Sequence, residues 1–286
     1  MTGNRLIIGL CCAAMFAAPG PAHAGSVKFE NVGAIVKKFA ADLGEMYEDG
    51  TPVKLDTIQD DLKKERSCKI NPVPAYRKTL DADELYRKCA DSIVMVGKVY
   101  KCANCDKWHT SDASGFVIGK DGIIVTNYHV LFKDTGNKAK AVAVRIRDGR
   151  ILPIERILAS SKTHDLAVIQ VKADNLKPLA IAQGAEIGSN VYCISHPVGQ
   201  LYTMTEGIVA GNFLRKEGRK DMAVTCDYAK GSSGAPLLDN TGAVVGIVRV
   251  TSPVYYEKKN GRNERLQMVW KYGIPSSSLL ELTGHK

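Results

Sequence analysis

The chain has 286 residues, of which 45% are hydrophobic and 24% are charged, and its formal net charge is +9. This composition is typical of a globular protein with one large domain or two small ones, and it excludes a collagen-like or wholly disordered chain. The positive charge could attract nucleic acid. However, the basic clusters carry no nucleic-acid-binding motif and most include acidic residues, so we expect a solvated surface and no nucleic-acid partner.

The N-terminal residues have the pattern of a secretory signal peptide. Arg5 is followed by an apolar run from Leu6 to Ala18, and Ala22-His23-Ala24 has small residues at the positions typical of a cleavage site. We therefore predict that residues 1–24 are removed and that the protein is secreted or periplasmic. The apolar run is shorter than the ~20 residues needed to span a bilayer, so we expect no stable membrane insertion.

Export would place the cysteines in an oxidising compartment. The chain has eight cysteines, and cleavage would remove Cys11 and Cys12. The remaining even number predicts up to about three disulfides, whose pairing the sequence does not determine. These cysteines are Cys68, Cys89, Cys102, Cys105, Cys193 and Cys226.

The Cys102-x-x-Cys105 pair has a second interpretation. Together with His109, and with Cys68 or Cys89 as a fourth ligand, it has the residue types of a metal site. A disulfide is the favoured interpretation in an exported chain. We therefore predict no metal and no cofactor.

The first region after the signal peptide, residues 25–85, is predicted to be partly helical. Apolar residues recur at helical spacing over Val32–Leu43, and a second helix is predicted over Asp81–Cys89, where Asp81 and Glu84 form an approximate capping box. The region is small and polar, so it cannot bury a large core alone. We interpret it as an extension packed on the main domain or as a propeptide.

From Ser92 the sequence consists of short β-branched and apolar runs between turn signals such as Asn240-Thr241-Gly242. Many short strands with few helices predict an all-β barrel or sandwich. The runs are Ile93–Val96, Gly115–Ile118, Ile123–Val125, Ala141–Val144, Ala167–Val171, Val191–Ile194, Gly207–Val209 and Val244–Val248.

Three motifs carry candidate catalytic side chains. Ser233 lies in Gly231-Ser232-Ser233-Gly234, a tight loop followed by an apolar strand, where glycine allows unusual backbone angles. His129 follows the apolar run that ends at Thr126, and serine needs such a base to become a nucleophile. Asp165 begins a buried strand, where orienting a histidine would satisfy its carboxylate. The adjacent His164 is the alternative base, and we favour His129.

These motifs resemble those of the trypsin-like (chymotrypsin-fold) serine peptidases, specifically their bacterial HtrA-type relatives. The order His129, Asp165, Ser233 is the chymotrypsin order, and the resemblance covers about Leu85 to Leu282. It implies an all-β fold of two packed six-stranded Greek-key β-barrels with a small helical N-terminal extension. It also implies a protease domain over residues 86–282, with barrels of about 86–177 and 178–282.

The resemblance implies a role for each site residue. Ser233 would attack the scissile carbonyl, His129 would transfer the proton, and Asp165 would orient His129. The backbone N–H groups of Gly231 and Ser233 would form the oxyanion hole. Protein or peptide substrates are the expected partners, and the oligomeric state does not follow from the sequence.

The chain departs from the family in several places. Ser232 stands where members activated by N-terminal cleavage have an aspartate, so the loop must be stabilised by other means. Ser195-His196 replaces the usual Gly-Asn, and Ala235 replaces the commoner second glycine. Too few residues follow Ser233 for the rest of a barrel and a PDZ domain, so we expect no PDZ domain.

Substrate preference has two competing predictions. Asp227 occupies the position where trypsin-like members bind Lys or Arg, but it could equally be a surface carboxylate. Arg249, Val250 and Thr251 align with the strand that lines the substrate pocket, and the Thr251 side chain would narrow that pocket and favour small aliphatic residues. Both preferences stay open.

The sequence thus predicts a metal-independent serine endopeptidase that forms an acyl-enzyme. The main alternative is a catalytically silent protease-fold module that binds peptides. A metal-dependent or nucleic-acid-binding extracellular protein is a third, weaker interpretation.

Overall fold

A computed structural model describes residues 29–75, 78–102, 104–132 and 139–285. The predicted signal peptide, with Cys11 and Cys12, therefore lies outside the described residues. The chain divides into two compact units, residues 1–31 and residues 32–286, and the helices and strands reported below belong to the second. Over the described ranges, we find no helix with the length and apolar character required to cross a membrane.

The helices lie mainly at the two ends of the chain. The predicted helices near Val32 and Asp81 are confirmed, but the capping box is wrong because the Asp81 side chain makes no capping hydrogen bond. A helix that we did not predict begins at Leu55. In the described part of the chain the α-helices are α1 (Val32–Glu48), α2 (Leu55–Leu62), α3 (Ala82–Cys89), α4 (Tyr128–Phe132) and α5 (Ser276–Leu282).

The β-strands of the described residues fall into two sets of six along the chain. The first six are β1 (Ile93–Lys101), β2 (Trp108–Gly119), β3 (Ile123–Thr126), β4 (Ala141–Arg145), β5 (Ile151–Ser161) and β6 (Leu166–Val171). The second six are β7 (Asn190–Ser195), β8 (Thr203–Leu214), β9 (Lys220–Val224), β10 (Pro236–Leu238), β11 (Val244–Lys259) and β12 (Arg262–Pro275).

Each set of six strands closes into an antiparallel barrel. The strand order is β1-β2-β3-β6-β5-β4 in the first barrel and β10-β11-β12-β9-β8-β7 in the second. Closure removes the exposed edges that an open sheet would present. The predicted all-β architecture of two six-stranded barrels with a helical N-terminal extension is therefore confirmed.

One hairpin extends well past the second barrel. The sequence predicted a strand only as far as Val248, but β11 continues to Lys259 and pairs with β12 along almost its whole length. Residues beyond Thr251 in β11 are mostly exposed. The apolar run used for the prediction marks only the part of the strand that enters the barrel, because the outer part has no buried face.

The N-terminal extension shares its core with the barrels. Phe39 and Leu43 of α1 are buried in one apolar cluster with Met95 of the first barrel and Ile247 of the second. A Cβ atom on Gly97 of β1 would clash with the Phe39 ring, so α1 lies directly against the sheet. The extension is thus packed on the main domain and covers the outer face of β1.

We predict that Leu43→Ala destabilises the whole protein. Leu43 is 0% exposed, and truncating a buried leucine to alanine costs about 2–5 kcal/mol through lost burial and the cavity that remains. Leu214→Ala is the matched control, because Leu214 is 76% exposed and surface changes usually cost under about 0.5 kcal/mol. Urea unfolding of both variants measures the difference. Equal midpoints for Leu43→Ala and the wild type would show that α1 is dispensable, as a propeptide would be.

Candidate active site

His129 and Asp165 meet at the end of the first barrel. His129 lies on α4, directly after β3, and Asp165 lies in the turn between β5 and β6. The His129 Nδ1 atom is 2.8 Å from Asp165 Oδ2, and the His129 backbone N–H donates to Oδ1 at 2.9 Å. Both carboxylate oxygens are therefore used to orient one residue. The ring is fixed with its Nδ1–H on the carboxylate, which leaves Nε2 as the free base.

The turn that carries Asp165 is itself fixed by hydrogen bonds. Asp165 has a φ of +55°, in the left-handed region that aspartate tolerates better than most residues. Its backbone carbonyl oxygen accepts from the Tyr128 backbone N–H at 3.2 Å and from the Asn127 side chain at 3.0 Å. The alternative base His164 points elsewhere, since its Nδ1 lies 3.2 Å from the Ser161 hydroxyl.

Ser233 lies in the loop before β10 and lines the same cleft as His129. The cleft has a volume of about 220 Å³. The Ser233 hydroxyl donates to the Arg249 carbonyl oxygen at 3.4 Å, a long hydrogen bond that a small rotation would break. The Ser233 hydroxyl is thus not hydrogen-bonded to His129 in this structure, and catalytic hydrogen bonds often tighten only when substrate binds. The cleft is lined by His129, Tyr228, Ala229, Lys230, Ser233, Val248, Arg249, Val250 and Thr251.

Among the described residues, the serine loop leaves two of its backbone N–H groups without a protein acceptor. The Lys230 carbonyl oxygen accepts from the Val198 N–H at 2.6 Å. In a trans peptide the C=O and the next N–H point in opposite directions, so the Gly231 N–H is turned away from Val198. Gly231 has a φ of +100°, which glycine adopts without strain. Within the described ranges, neither Gly231 nor Ser233 uses its N–H on a protein acceptor.

Sequence reasoning missed Ser114, which connects the first barrel to the serine loop. Ser114 is on β2 and 0% exposed, and its N–H donates to the Ser233 carbonyl oxygen at 2.9 Å. Its hydroxyl donates to the Gly231 carbonyl oxygen at 2.8 Å and accepts from the His196 N–H at 3.2 Å. Its carbonyl oxygen accepts from the Thr126 hydroxyl at 2.8 Å. No local motif marks this serine, because its partners are distant in sequence.

Ser232 makes a neutral contact at the position where an activating aspartate would lie. Ser232 is buried, and its hydroxyl oxygen accepts from the Ser195 hydroxyl at 2.9 Å. The Ser232 N–H donates to the Ala229 carbonyl oxygen at 3.0 Å. The loop is therefore formed by hydroxyl and backbone hydrogen bonds, as the absence of an aspartate led us to expect.

His196 lies beneath this loop as a neutral, buried imidazole. Its Nδ1 accepts from the Tyr202 N–H at 3.0 Å, so Nδ1 carries no proton. Burial, and to a smaller extent the positive charge of Arg145, lowers the pKa of His196 to about 4. The extension contacts the same region, since the Tyr86 hydroxyl of α3 donates to the Tyr202 carbonyl oxygen at 3.1 Å.

The structure separates the candidate substrate-binding residues. Arg249, Val250 and Thr251 line the cleft, whereas Asp227 does not. The Asp227 side chain is 81% exposed and forms an ion pair with Lys271. Its neighbour Tyr228 lines the cleft instead and is 7% exposed. Burial raises the pKa of Tyr228, so its hydroxyl stays protonated.

The six cysteines in the described part of the chain are free thiols in the structure, so their pairing stays a prediction. Cys193 and Cys226 are buried in the same apolar cluster, and burial raises the pKa of Cys193 to about 12. Cys102, Cys105 and His109 lie together on the β1–β2 hairpin. In the part of the chain described, Cys68 and Cys89 do not join that group.

Parts of the chain are similar in sequence to known proteins. Residues 113–247 match the family described as the trypsin-like peptidase domain. A protein from Hahella chejuensis named "Probable periplasmic serine endoprotease DegP-like" is 38% identical over 146 residues, which cover 48% of this chain and 29% of that protein. The chain thus corresponds to less than a third of that relative.

Solved structures show the same fold. The serine endoprotease from Yersinia pestis superposes with a TM-score of 0.53 and 23% identity, covering 74% of this chain and 66% of that one. The HtrA-type protease AlgW with a tripeptide superposes with a TM-score of 0.52 and 22% identity, covering 70% and 61%. At these identities the likeness concerns the fold alone.

Residues 113–247 are therefore similar to a trypsin-like peptidase domain. In sequence the chain is similar to part of a DegP-like serine endoprotease, and in fold it is similar to an HtrA-type protease.

We predict that His196 makes the protein less stable in mild acid. The unfolded chain protonates this histidine as the pH falls through about 6.5, whereas the folded protein withholds the proton down to about 4. His196 therefore contributes its full stability above pH ~6.5 and loses it, on the order of 3 kcal/mol, as the pH falls towards ~4.

His196→Asn is the control for that pH dependence, because an amide oxygen can still accept from the Tyr202 N–H. Urea unfolding of both proteins from pH 7 to pH 4 gives the comparison. We expect the wild type to lose more stability than His196→Asn over this window. Parallel curves of unfolding free energy against pH would show that His196 has the same pKa in the folded and unfolded states.

Proposed function

We propose that the protein is a serine endopeptidase that uses Ser233 as nucleophile, His129 as general base and Asp165 to orient His129. The observation that carries the proposal is the 2.8 Å contact between His129 Nδ1 and Asp165 Oδ2, with Ser233 on the same cleft as the ring. With Nδ1 held by Asp165, Nε2 is the ring nitrogen that could accept the proton of Ser233. Serine becomes nucleophilic only with such a base.

The proposed reaction proceeds in two halves. The Ser233 oxygen attacks the scissile carbonyl carbon while its proton passes to His129 Nε2, and the negative charge moves to the carbonyl oxygen. The N–H groups of Gly231 and Ser233 would donate to that oxygen. His129 then protonates the leaving amine, which departs and leaves an acyl-enzyme. A water molecule then attacks the acyl-enzyme carbonyl and gives its proton to His129. His129 returns a proton to the Ser233 oxygen, and the carboxylic acid product is released.

We propose that the substrate is an extended peptide that pairs with the backbone of β11. Arg249, Val250 and Thr251 line the cleft, and the β11–β12 register shifts between Val248 and Val250, so the ladder is irregular beside Ser233. An extended peptide can add to such a segment through main-chain hydrogen bonds. The neighbour AlgW was solved with a tripeptide, which supports peptide as the substrate class.

We propose export to the periplasm or the medium, supported by the signal-peptide pattern and by the periplasmic name of the relative from Hahella chejuensis. The mass of the protein recovered from outside the cytoplasm would test this. A chain beginning at Gly25 agrees with the proposal, and an intact Met1 contradicts it.

We predict that a fluorophosphonate probe labels the wild type and not Ser233→Ala. His129→Ala should slow labelling by about 10²–10⁴-fold, because general-base assistance is lost. His164→Ala is the matched control, since it removes the neighbouring histidine and should label at the wild-type rate. Gel fluorescence over time measures the rates. Absence of labelling in a folded wild type would favour the catalytically silent peptide-binding module, and equal loss in both histidine variants would contradict the assigned base.

We also predict a preference for small residues at P1, because the Tyr228 ring occupies space in the cleft. Tyr228→Ala should raise kcat/KM for a peptide with Phe at P1, relative to Ala at P1, by at least about tenfold. Tyr228→Phe keeps the ring and should leave the ratio unchanged. Asp227→Asn should also leave it unchanged, because Asp227 pairs with Lys271 outside the cleft.

Cleavage kinetics on a peptide library would decide between a preference for small residues at P1 and a preference for Lys or Arg at P1. An unchanged ratio in Tyr228→Ala would show that the ring does not limit the pocket. Loss of cleavage after Lys or Arg in Asp227→Asn would restore the acidic-pocket prediction.

A further inference from the structure

The β1–β2 hairpin carries a cluster of ligand-type side chains that the proposed catalysis does not use. The two strands end at the pair Lys101 and Trp108. The Cys102 N–H donates to the Lys107 carbonyl oxygen at 3.0 Å, which closes the turn. Cys102 and Cys105 therefore lie on one tight loop, and His109 follows on the first part of β2.

The three side chains converge on a common point. The Cys105 Sγ atom is 3.1 Å from His109 Nε2, and the ligand atoms of Cys102, Cys105 and His109 all lie within 4.8 Å of one another. Zinc binds thiolate at about 2.3 Å and imidazole at about 2.0–2.1 Å, which places tetrahedral ligand atoms roughly 3.5–3.8 Å apart. Small side-chain rotations would bring the cluster to that spacing.

We propose that Cys102, Cys105 and His109, in place of the disulfide that the sequence favoured, form a zinc site whose fourth position is open to solvent or to an exogenous ligand. Two thiolates and a neutral imidazole are ligands that zinc prefers, and the two thiolates balance the charge of the ion. Cys105 and His109 are exposed and Cys102 is partly exposed, so a metal ion can enter without unfolding the chain. The site is independent of the proposed peptidase activity.

The neighbouring strand fixes the imidazole of His109. The His109 ring stacks on Tyr100, its cross-strand partner, at a centroid distance of 5.7 Å and an interplanar angle of 21°. This stacking presents Nε2 towards Cys105.

Lys101 and Lys107 flank the turn, and the charge of Lys101 is balanced by carboxylates. Lys101 forms ion pairs with Asp106 at 3.4 Å and with Glu48 of α1 at 3.5 Å. The strand pair next to the turn also packs on α1, where the rings of Trp108 and Tyr47 lie 5.9 Å apart. A metal ion at the tip would therefore stiffen a hairpin that is attached to the N-terminal extension.

The test is a Co²⁺ titration of the reduced, metal-free mature protein, followed by displacement with Zn²⁺. We expect one equivalent of Co²⁺ to produce a thiolate-to-cobalt charge-transfer band that Zn²⁺ abolishes. Cys102→Ser and Cys105→Ser should lose the band, and His109→Asn should weaken Zn²⁺ binding by at least roughly tenfold. Cys68→Ser is the matched control and should behave as the wild type. Circular dichroism shows that each variant is folded.

Two results would overturn the proposal. One is a folded, reduced wild type with no charge-transfer band, or with a band that Cys105→Ser retains. The other is a Cys102–Cys105 disulfide, found by alkylation and mass spectrometry of the protein as exported, that persists when Zn²⁺ and a reductant are both present. Fluorophosphonate labelling of Ser233 in the presence of a chelator should be unchanged, so a failure of this proposal is distinguishable from a failure of the proposed peptidase function.

Discussion

The geometry of the candidate active site depends on the hydrogen bonds of one buried residue, Ser114. Its N–H, hydroxyl and carbonyl oxygen are all used, and its partners Gly231, Ser233, His196 and Thr126 come from both barrels. A buried polar group that loses its partner costs about 1–3 kcal/mol, so these bonds resist any displacement of the serine loop. The first barrel supplies His129 and Asp165, and Ser114 sets where the second barrel holds Ser233.

The serine loop is stabilised without a buried charge. In place of an ion pair, Ser232 and Ser195 share a hydroxyl hydrogen bond, and Lys230 bonds through its backbone to Val198. Neutral hydrogen bonds avoid the desolvation penalty of a buried ion pair. They also need no new N-terminal amino group, so the loop conformation does not depend on cleavage at a distant site.

The N-terminal extension is part of this arrangement. α1 contributes Phe39 and Leu43 to an apolar cluster that includes both barrels, and α3 reaches the loop beneath the site through Tyr86 and Tyr202. A segment with so many buried contacts opens only at a free-energy cost close to that of the core. The extension therefore connects the hairpin that carries Cys102 and Cys105 with the same packed unit as the catalytic cleft.

The sequence by itself determined the local features of this protein. Apolar runs predicted most of the barrel strands, and the three motifs indicated His129, Asp165 and Ser233, because strand pattern and loop chemistry are encoded over a few residues. Only the tertiary structure decided that Ser114 joins the barrels and that Tyr228, not Asp227, faces the cleft. Adjacent residues on an extended chain point to opposite sides, and which side is the cleft depends on packing between segments that are distant in sequence.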